Sequence, residues 1–352
     1  MSDAPKPSGK SVTTRDIAAR AGVSIATVSL ALRNHPRISA KTREQVKRVA
    51  TELGYCPDPQ VAKLMYHLRA QRPPGFQSTI AALTTTTEEH ELDYARDIRC
   101  SAQARAEALG YAFLVMRLPD GDTQKASVQR ILLSRGVEGV LLLPLDNPRP
   151  VRDWLDWDRF SVVTATYGVL APDFHRVVPH QFGNTLLLCE ELAKLGYRRI
   201  GLVSPQRLDV VVHHGFAAAV AWQSLLGGTE MVRPLVYAGE IPVDLPRWFK
   251  RERPDVIIAS GETECRMIAR LLKLTIPGPV GFAVTDWYKQ PDIAGIDERP
   301  LEIGAAAIDL LHTKIMSGNV GIPKVPTVAM VPGEWVPGPS VARISRAAAG
   351  RC

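Results

Sequence analysis

Hydrophobic residues follow two different patterns along this chain. Residues 12–56 contain short stretches with apolar side chains at helical spacing and no strand-like run. From residue 78 onward, short apolar runs alternate with longer stretches at helical spacing. Strands that alternate with helices predict βαβ units and a parallel sheet. The pattern therefore predicts a small all-helical region followed by an α/β body.

The α/β body contains similar elements in its two halves. Its predicted strands are short apolar runs at residues 79–83, 112–116, 137–143, 161–166, 200–203 and 256–259. The predicted helices between them lie at residues 93–109, 124–133, 185–195 and 265–272. Two of these helices end in Leu-Gly-Tyr, with the glycines 86 residues apart. This similarity indicates two α/β halves of similar design.

The all-helical region has the spacing of a helix-turn-helix. A small residue, a turn glycine and a buried apolar residue stand at Ala18, Gly22 and Val28. Gly22 ends the first helix because the tight turn there requires a positive φ. The second helix is predicted at residues 25–32. A generic three-helix bundle with a solvated basic face is the alternative interpretation.

Capping residues mark where the helices of this region begin. Thr13 or Thr14 precedes the first helix, Ser24 the second and Ser39 a third at residues 40–53. Short hydroxyl side chains stabilise these positions because they accept hydrogen bonds from the unpaired N–H groups of the first turn. The caps therefore support three separate short helices.

The positive charge of the chain is concentrated at its N-terminal end. Residues 1–72 contain 13 Lys and Arg against 5 Asp and Glu, whereas residues 73–352 contain 30 against 31. Lys and Arg that neutralise phosphates supply most of the sequence-independent affinity for DNA. The charge therefore favours a nucleic-acid-binding head over a generic bundle.

Length and composition exclude several classes of protein. A chain of 352 residues with 45% hydrophobic residues predicts two or three globular domains. No apolar run approaches the roughly 20 residues of a membrane span, and the polar start is unlike a signal peptide. The five cysteines are scattered without a C-x2-C pair, which argues against zinc sites and disulfides. We expect a cytoplasmic protein without a cofactor or a bound metal.

The body lacks the sequence motifs of common enzymes. It has no P-loop, dinucleotide-binding, nucleophile-elbow or H-E-x-x-H motif. The nearest groupings of titratable residues are Glu88, Glu89 and His90, and the pair His213 and His214. Such groups can perform acid–base chemistry, or they are solvated loop charges or groups that form hydrogen bonds with a ligand. We favour the second interpretation, which is not catalytic. The sequence therefore predicts a binding protein that is not an enzyme.

Residues 12–59 resemble the head of the LacI/GalR (lactose-repressor) family of bacterial transcription regulators. The resemblance is carried by D-I-A-x-x-A-G-V-S from Asp16, T-V-S from Thr27, I-S-x-x-T-R from Ile38 and L-G-Y-x-P from Leu53. It implies a helix-turn-helix DNA-binding domain at residues 12–57.

The resemblance implies that the second helix enters the major groove of DNA. The residues that would face the bases are Ser24, Ile25, Ala26, Thr27, Ser29 and Leu30. The hydroxyl groups that would reach the phosphates are those of Thr13, Thr14, Ser39 and Thr42. Ile25, Ala26 and Leu30 are apolar where many members carry polar or Arg side chains, so they would contact thymine methyl groups or read DNA shape. For Ile25 and Leu30, packing within the head remains an alternative.

Residues 58–77 correspond to the hinge helix and linker of the family. In the family this segment becomes helical when a dimer docks on its operator, and an apolar side chain wedges into the minor groove. Leu64 matches that wedge position, and its insertion would kink the DNA. Packing of Leu64 against the body is the alternative.

The resemblance continues more weakly to about residue 339. It implies an α/β body like a periplasmic binding protein, with two Rossmann-like subdomains and parallel sheets. The effector-binding and dimerisation domain would cover residues 78–340. Its N-subdomain would comprise residues 78–168 and 297–318, and its C-subdomain residues 172–294 and 320–340. Residues 341–352 are predicted to form a flexible tail.

Effector-binding residues are expected beyond the carboxyl ends of the strands. Tyr94 matches an aromatic residue that commonly stacks on the ligand in the family, and Glu262 stands near an acidic position. Elsewhere the family pattern breaks: its D-N-x-x-G is replaced by residues 180–184, its Arg before a Gly-Phe pair by Val212, and its late acidic residue by Ala283. The candidate replacements are Arg207, Asp209, His213, Asp286 and Trp287, with Tyr288 beside them.

The sequence predicts a homodimeric DNA-binding transcription regulator whose operator affinity is controlled by a small molecule. Two heads would bind a pseudo-palindromic double-stranded operator, and the body would sense a sugar-like effector without a membrane partner. Two other interpretations stay open: a regulator that needs no ligand, and a regulator that responds to a ligand other than a sugar. A pure small-molecule binding module would leave the basic helix-turn-helix unexplained.

Overall fold

The computed structural model describes residues 12–32, 38–55, 78–86, 91–118, 122–225 and 229–344. These form a head (residues 12–55) and a body (residues 78–344). The helices of these ranges are all too short or too polar to cross a membrane. The predicted hinge, including Leu64, and the grouping of Glu88, Glu89 and His90 lie outside the described residues.

The head consists of three helices around a common apolar core. They are α1 (Thr14–Ala21), α2 (Ile25–Leu32) and α3 (Ala40–Glu52). The core residues recur at helical spacing and are Ile17, Ala18, Ala21, Val28, Ala31, Val46, Val49 and Ala50. Both the helix-turn-helix spacing and the bounds of the second helix agree with the sequence prediction.

The helices of the head begin and end at the predicted capping residues and turn glycine. Thr13 caps α1: its backbone N–H donates to Asp16 Oδ2 at 2.8 Å, and its Oγ1 accepts from the Asp16 N–H at 3.4 Å. Gly22 ends α1 with a φ of +67°, which glycine adopts without steric cost. Ser39 caps α3 by accepting from the Thr42 N–H at 3.2 Å. The head is therefore specified largely by local sequence.

The body alternates strands and helices. Its first part contains β1 (Ser78–Thr84), α4 (Asp93–Ala108), β2 (Tyr111–Arg117), α5 (Asp122–Ser134), β3 (Val137–Leu142), β4 (Arg149–Pro150), β5 (Ser161–Ala165), β6 (Val169–Ala171) and β7 (His175–Pro179). Its second part contains α6 (Gln181–Lys194), β8 (Arg199–Pro205), α7 (Gln206–Val211), α8 (Gly215–Leu225), β9 (Glu230–Met231), β10 (Leu235–Tyr237), α9 (Leu245–Glu252), β11 (Val256–Ala259), α10 (Glu262–Leu272), β12 (Gly281–Trp287) and β13 (Ala294–Asp297). The chain then continues through α11 (Pro300–Met316), β14 (Val328–Val331) and β15 (Glu334–Val336).

Two large sheets form the body. Across the described ranges the first sheet has six parallel strands in the order β14-β7-β5-β3-β1-β2. The second has the order β10-β8-β11-β12-β13-β15, with β9 beside β8. Only β15 runs antiparallel to its neighbour among the paired strands of these sheets that the structure describes. The predicted fold class, an all-α head with two Rossmann-like parallel-sheet subdomains, is confirmed.

The sheets correct the predicted subdomain boundaries. Strand β7 (residues 175–179) and strand β14 (residues 328–331) join the first sheet, although the sequence places both in the predicted C-subdomain. The chain therefore crosses between the subdomains after β7, after β13 and after β14. Strands β7 and β14 pair although about 150 residues separate them. Pairing over such a distance depends on how the whole chain packs, which the local sequence pattern does not encode.

Helices cover both faces of each sheet. In the first subdomain α4 and α11 bury one face of the sheet, and α5 covers the other. In the second, α6 and α8 bury one face, and α9 and α10 the other. The strands are consequently apolar on both sides, which explains their continuous hydrophobic runs.

The C-terminal segment departs from the predicted flexible tail in its first four residues. Val341 is buried against the second subdomain. The Ala342 N–H donates to Tyr197 Oη at 3.1 Å, and the Ile344 N–H donates to the Leu195 carbonyl at 2.8 Å. Composition predicts fraying here, but an apolar contact and backbone hydrogen bonds hold these residues. Residues 345–352 lie outside the described part of the chain.

Candidate nucleic-acid interface and effector cleft

The outward face of the head carries the residues predicted to contact DNA. On α2, Val28 and Ala31 point into the core, while Ile25 and Ala26 are exposed. Ile25 leaves 46% of its surface accessible. Leu30 is half-buried. The apolar positions of α2 are thus available to a partner, as a thymine-contacting surface requires.

The hydroxyl groups of the head are engaged within the head. Ser24 Oγ accepts from the Thr27 N–H at 3.0 Å and lies 2.8 Å from Thr27 Oγ1. Ser39 Oγ lies 2.8 Å from Thr42 Oγ1. Each hydroxyl oxygen has a second lone pair or a proton left for another partner. Thr14 and Ser29, the other predicted hydroxyl contacts, are half-buried on α1 and α2.

Cationic side chains lie on α1 and α3, the helices that pack against α2. They are solvent-exposed and comprise Arg15, Arg20, Lys41, Lys47 and Arg48. Arg48 forms an exposed pair with Glu52 on the same helix at 3.7 Å. Exposed ion pairs of this kind contribute little to stability. The positive charges of the head therefore matter more for the electrostatic potential of its surface than for the stability of its fold.

A buried carboxyl group joins both subdomains, at a position that we call the floor of the predicted effector cleft. Glu298 follows β13 and is 5% exposed. Its Oε2 accepts from Tyr94 Oη at 2.8 Å, and its Oε1 accepts from Gln181 Nε2. Tyr94 lies in the first turn of α4, and Gln181 is the first residue of α6. The contact therefore links helices that belong to different subdomains.

The electrostatic setting of this carboxyl group favours its protonated form. Burial raises the pKa of Glu298 to about 8, with a further contribution from the nearby negative charges of Asp286 and Asp297. Asp286 lies near the end of β12. Desolvation by the surrounding protein and the charge of Asp297 raise the pKa of its carboxyl group as well. Burial, followed by the charge of Glu298, raises the pKa of Tyr94.

A second contact joins the two subdomains through Asp97, Tyr288 and Lys289, and we call this position the mouth of the predicted effector cleft. Tyr288 Oη donates to Asp97 Oδ2 at 2.7 Å, and Lys289 Nζ donates to the same oxygen at 2.9 Å. Partial burial raises the pKa of Asp97, but these hydrogen bonds outweigh it and the net pKa is lowered. The Tyr288 ring meets the Tyr94 ring edge-on with centroids 6.3 Å apart. Asp97 is on α4, so this contact also joins the subdomains.

Asp209 and His213 lie in the loop region after β8, where α7 leads into α8. Asp209 is 3% exposed, and its Oδ2 lies 2.8 Å from His214 Nδ1 while its Oδ1 accepts from the Ala217 N–H at 3.3 Å. Asp209 therefore holds the start of α8. His213 has a φ of +54° and is exposed, with its ring 6.4 Å from the Tyr167 ring.

The other predicted effector residues occupy different surroundings. Arg207 is exposed on α7, near Tyr237. Glu262 accepts from Arg266 Nε at 2.6 Å on the surface of α10. Trp287 donates from Nε1 to the Gln290 carbonyl at 2.8 Å and packs on the core of the second subdomain. Tyr94 and Asp286 come together at the cleft floor, whereas these three residues make their contacts elsewhere.

Sequence reasoning missed Gln181, Glu298 and Asp97. One signal for Glu298 was available, because it belongs to an Asp-Glu-Arg-Pro stretch between a strand and a helix. The carboxyl end of a parallel strand is where ligands bind. Gln181 belongs to residues 180–184, which replace the family's D-N-x-x-G, and that position was a signal even though its partner was not evident. Asp97 gave no local signal, since its importance rests on partners far away in sequence.

The head matches a known family. Residues 13–58 match the family described as "Bacterial regulatory proteins, lacI family". The head is therefore a helix-turn-helix domain of the lacI type. Among curated relatives, the "Maltose regulon regulatory protein MalI" of Escherichia coli (strain K12) is 29% identical over 199 residues, which cover 56% of this chain and 55% of that protein. The chain spans about half the length of the first curated relatives it matches.

Solved structures of transcription regulators share the fold of most of the chain. The "transcriptional regulator CelR-cellobiose complex" has a TM-score of 0.57 at 21% identity, covering 94% of this chain and 100% of that chain. The lac repressor dimer bound to operator and the anti-inducer ONPF has a TM-score of 0.55 at 19% identity, covering 95% and 100%. At these identities the similarity establishes the fold of the chain and nothing beyond it.

Proposed function

We propose that the protein is a sequence-specific DNA-binding transcription regulator whose operator affinity is controlled by a small-molecule effector. The observation that carries this proposal is the basic helix-turn-helix head, matched over residues 13–58 to the LacI family. Its exposed α2 face, beside helices that carry exposed cations, suits insertion into the major groove of DNA. The curated relatives are named as regulators, and we infer that the body binds a ligand without turning it over.

The regulator would act as a homodimer on a pseudo-palindromic operator. The related lac repressor was solved as a dimer bound to operator, which supports this assembly. Two-fold symmetry of the protein would match the symmetry of two half-sites one helical turn apart or a multiple of it. We place the protein in the bacterial cytoplasm, where its operator would be.

A sugar-like effector would bind in the cleft between the subdomains. The complex of CelR with cellobiose has the same fold, which supports a carbohydrate ligand for this one. Tyr94, Glu298 and Asp286 provide aromatic and polar groups at the floor, and the Asp97–Tyr288 contact spans the mouth. An effector that binds one subdomain arrangement better than another would shift the population toward it. That shift would order or release the two hinges and so change operator affinity.

The test is DNA selection with the full-length protein. We expect selected duplexes to contain two inverted half-sites, and operator affinity in a gel-shift titration to fall linearly with salt on a double-logarithmic plot. A slope corresponding to several released counterions is the expected result, since the exposed cations of the head would neutralise phosphates. If no sequence were enriched, or if the affinity for DNA did not depend on salt, the proposed function as a DNA-binding regulator would be refuted.

Leu64→Ala tests the wedge position of the predicted hinge. We expect operator binding to weaken about tenfold, equivalent to about 1.4 kcal/mol, because the apolar side chain would support a kinked minor groove. Ligand binding and thermal unfolding should stay unchanged. Leu301→Ala, at an exposed leucine of the body, is the matched control and should bind operator like the unmodified protein. If both variants bound operator with equal affinity, Leu64 would not contribute to the interface with DNA.

A further inference from the structure

Three side chains connect the two subdomains away from the segments where the chain crosses between them. Asp97 Oδ2 accepts from Tyr288 Oη at 2.7 Å and from Lys289 Nζ at 2.9 Å, and Lys289 Nζ donates to Tyr288 Oη at 2.7 Å. Each of the three side chains therefore contacts the other two. Asp97 lies on α4 of the first subdomain, whereas Tyr288 and Lys289 follow strand β12 of the second.

The second subdomain presents Tyr288 and Lys289 from a fixed position. Trp287 packs on the core of this subdomain, and its Nε1 donates to the Gln290 carbonyl at 2.8 Å, which closes a short turn around the two residues. Lys289 has a φ of +51°, a left-handed conformation that is costly for a residue with a side chain. In this turn the Lys289 ammonium lies 4.7 Å from the centre of the Tyr288 ring. The turn therefore holds both side chains together beside Asp97.

The first subdomain presents Asp97 from an equally fixed position. The next residue on α4, Ile98, is fully buried in the core of this subdomain. Tyr94 lies one helical turn before Asp97 on the same face of α4, and its ring meets the Tyr288 ring edge-on with centroids 6.3 Å apart. The contact between the subdomains thus joins two well-packed elements, the first turns of α4 and the end of β12.

The hydroxyl group of Tyr288 makes this contact more than a surface ion pair. The side chain of Lys289 is 66% exposed, so its ion pair with Asp97 alone would contribute little. The Asp97 side chain is only 24% exposed, and a hydrogen bond donated to a partly covered carboxylate is stronger than one between neutral groups. A rotation that separates the subdomains moves α4 away from the end of β12 and breaks both bonds to Asp97. The network therefore belongs to one arrangement of the subdomains.

We propose that Asp97, Tyr288 and Lys289 form a latch that stabilises the described arrangement of the two subdomains without a bound effector. The chain itself then sets the equilibrium between latched and open subdomains, and an effector shifts this equilibrium from that starting point. Only the link from the latch to operator affinity rests on the proposed function, because it takes the body as the part that controls the head.

Asp97→Ala and Tyr288→Phe test the latch in the full-length protein without added ligand. The first variant removes the shared acceptor, and the second removes one hydroxyl group but keeps the ring. Because α4 and the end of β12 can then separate, we expect small-angle X-ray scattering to give a larger radius of gyration for both variants. Light scattering on the same samples separates a change of shape from a change of assembly.

Glu107→Ala is the matched control for Asp97→Ala. Glu107 is an exposed acid on the same helix, and it accepts from Gln103 Nε2 at 2.9 Å within that helix. Its removal breaks a contact inside the first subdomain and none between the subdomains among the described contacts. The radius of gyration and the operator affinity of this variant should equal those of the unmodified protein.

Operator affinity is measured by gel shift with the same variants. We expect Asp97→Ala to change it by about fivefold or more, as typical couplings between sites do, and Tyr288→Phe to change it less but in the same direction. The double variant should change it no more than Asp97→Ala alone, because both substitutions remove one interaction. The dependence of affinity on salt should keep its slope, since these residues lie outside the head.

The outcomes separate the latch from the proposed regulator. An unchanged radius of gyration in both variants overturns the latch, and additive effects on operator affinity overturn the joint action of Asp97 and Tyr288. A larger radius with unchanged operator affinity supports the latch and overturns its coupling to DNA. If the unmodified protein binds no operator, the proposed function fails, while the scattering comparison still decides whether the latch holds the subdomains.

Discussion

Replacing Gly304 with alanine is expected to lower the free energy of unfolding of the body by about 2 kcal/mol. Gly304 lies on α11 where that helix crosses α4. A methyl group there would come within 2.2 Å of the Ile98 carbonyl oxygen and 3.1 Å of the Ala102 nitrogen. These are backbone atoms of a neighbouring helix, so no side-chain rotation relieves the clash. The two helices must separate, and their shared apolar core loosens.

The expected decrease in the free energy of unfolding of Gly304→Ala is the balance of two opposing effects. Alanine in a helix interior is favoured over glycine by about 1 kcal/mol, which acts against the clash. Overpacking of a close helix contact costs about 1–3 kcal/mol or more, and contact with a rigid backbone belongs at the upper end. Urea denaturation followed by circular dichroism measures the difference.

Gly183→Ala is the matched control, because Gly183 is also a helical glycine in the body. Its added methyl group would meet the imidazole of His180 at 2.4 Å, which is a side chain able to rotate away. We therefore expect this variant to be about as stable as the unmodified protein, because the helix propensity of alanine offsets the small rearrangement. If Gly304→Ala were as stable as Gly183→Ala, the close approach of α4 and α11 would not limit the packing.

The free energy of unfolding is expected to fall as pH rises from about 5 to about 9, and Glu298→Gln is expected to remove much of that fall. Glu298 has a pKa of about 8 in the folded protein, against an ordinary value of 4.5. The folded state therefore retains a proton that the unfolded state has lost between these values. Stability decreases with pH wherever the folded state binds more protons.

The size of the effect follows from the shift in pKa. Each pKa unit corresponds to about 1.4 kcal/mol, so the contribution is on the order of 4 kcal/mol across the window. Glutamine has no proton to lose and keeps an oxygen that accepts from Tyr94. Its NH2 group can donate to Gln181 once the Gln181 amide turns to present its oxygen. The difference in unfolding free energy between Glu298→Gln and the unmodified protein should thus grow with pH.

Denaturation curves at several pH values measure this difference. Glu262→Gln is the control, because the Glu262 carboxylate pairs with Arg266 at the surface. It should follow the pH dependence of the unmodified protein. A difference curve for Glu298→Gln that is flat between pH 5 and 9 would show that Glu298 ionises at its ordinary pKa in the folded protein.

Local chemistry made the head predictable. The Thr13 and Ser39 caps, the positive φ of Gly22 and the apolar spacing around Val28 all act within a few residues. The bounds of α2 follow directly from them. The core strands of the body were predictable for a similar reason, since a strand covered on both faces is continuously apolar.

Part of the candidate site was predictable as well. The carboxyl ends of predicted strands pointed to the regions of Tyr94 and Asp286 as ligand-facing. The resemblance of the head to the LacI family and the basic charge of residues 1–72 both indicate DNA as the partner of the head. The effector cleft remained incomplete, because half of its polar floor lies at positions without a recognisable motif.

The sequence by itself determined the helix-turn-helix, the α/β class and the division into head and body, because each depends on capping, charge or periodicity over a short stretch. Only the tertiary structure decided that β7 and β14 return to the first sheet and that Glu298 meets Tyr94 and Gln181, which lie 204 and 117 residues away. Strand pairing and side-chain contacts over such separations depend on how the whole chain packs. The raised pKa of Glu298 is a property of that packing.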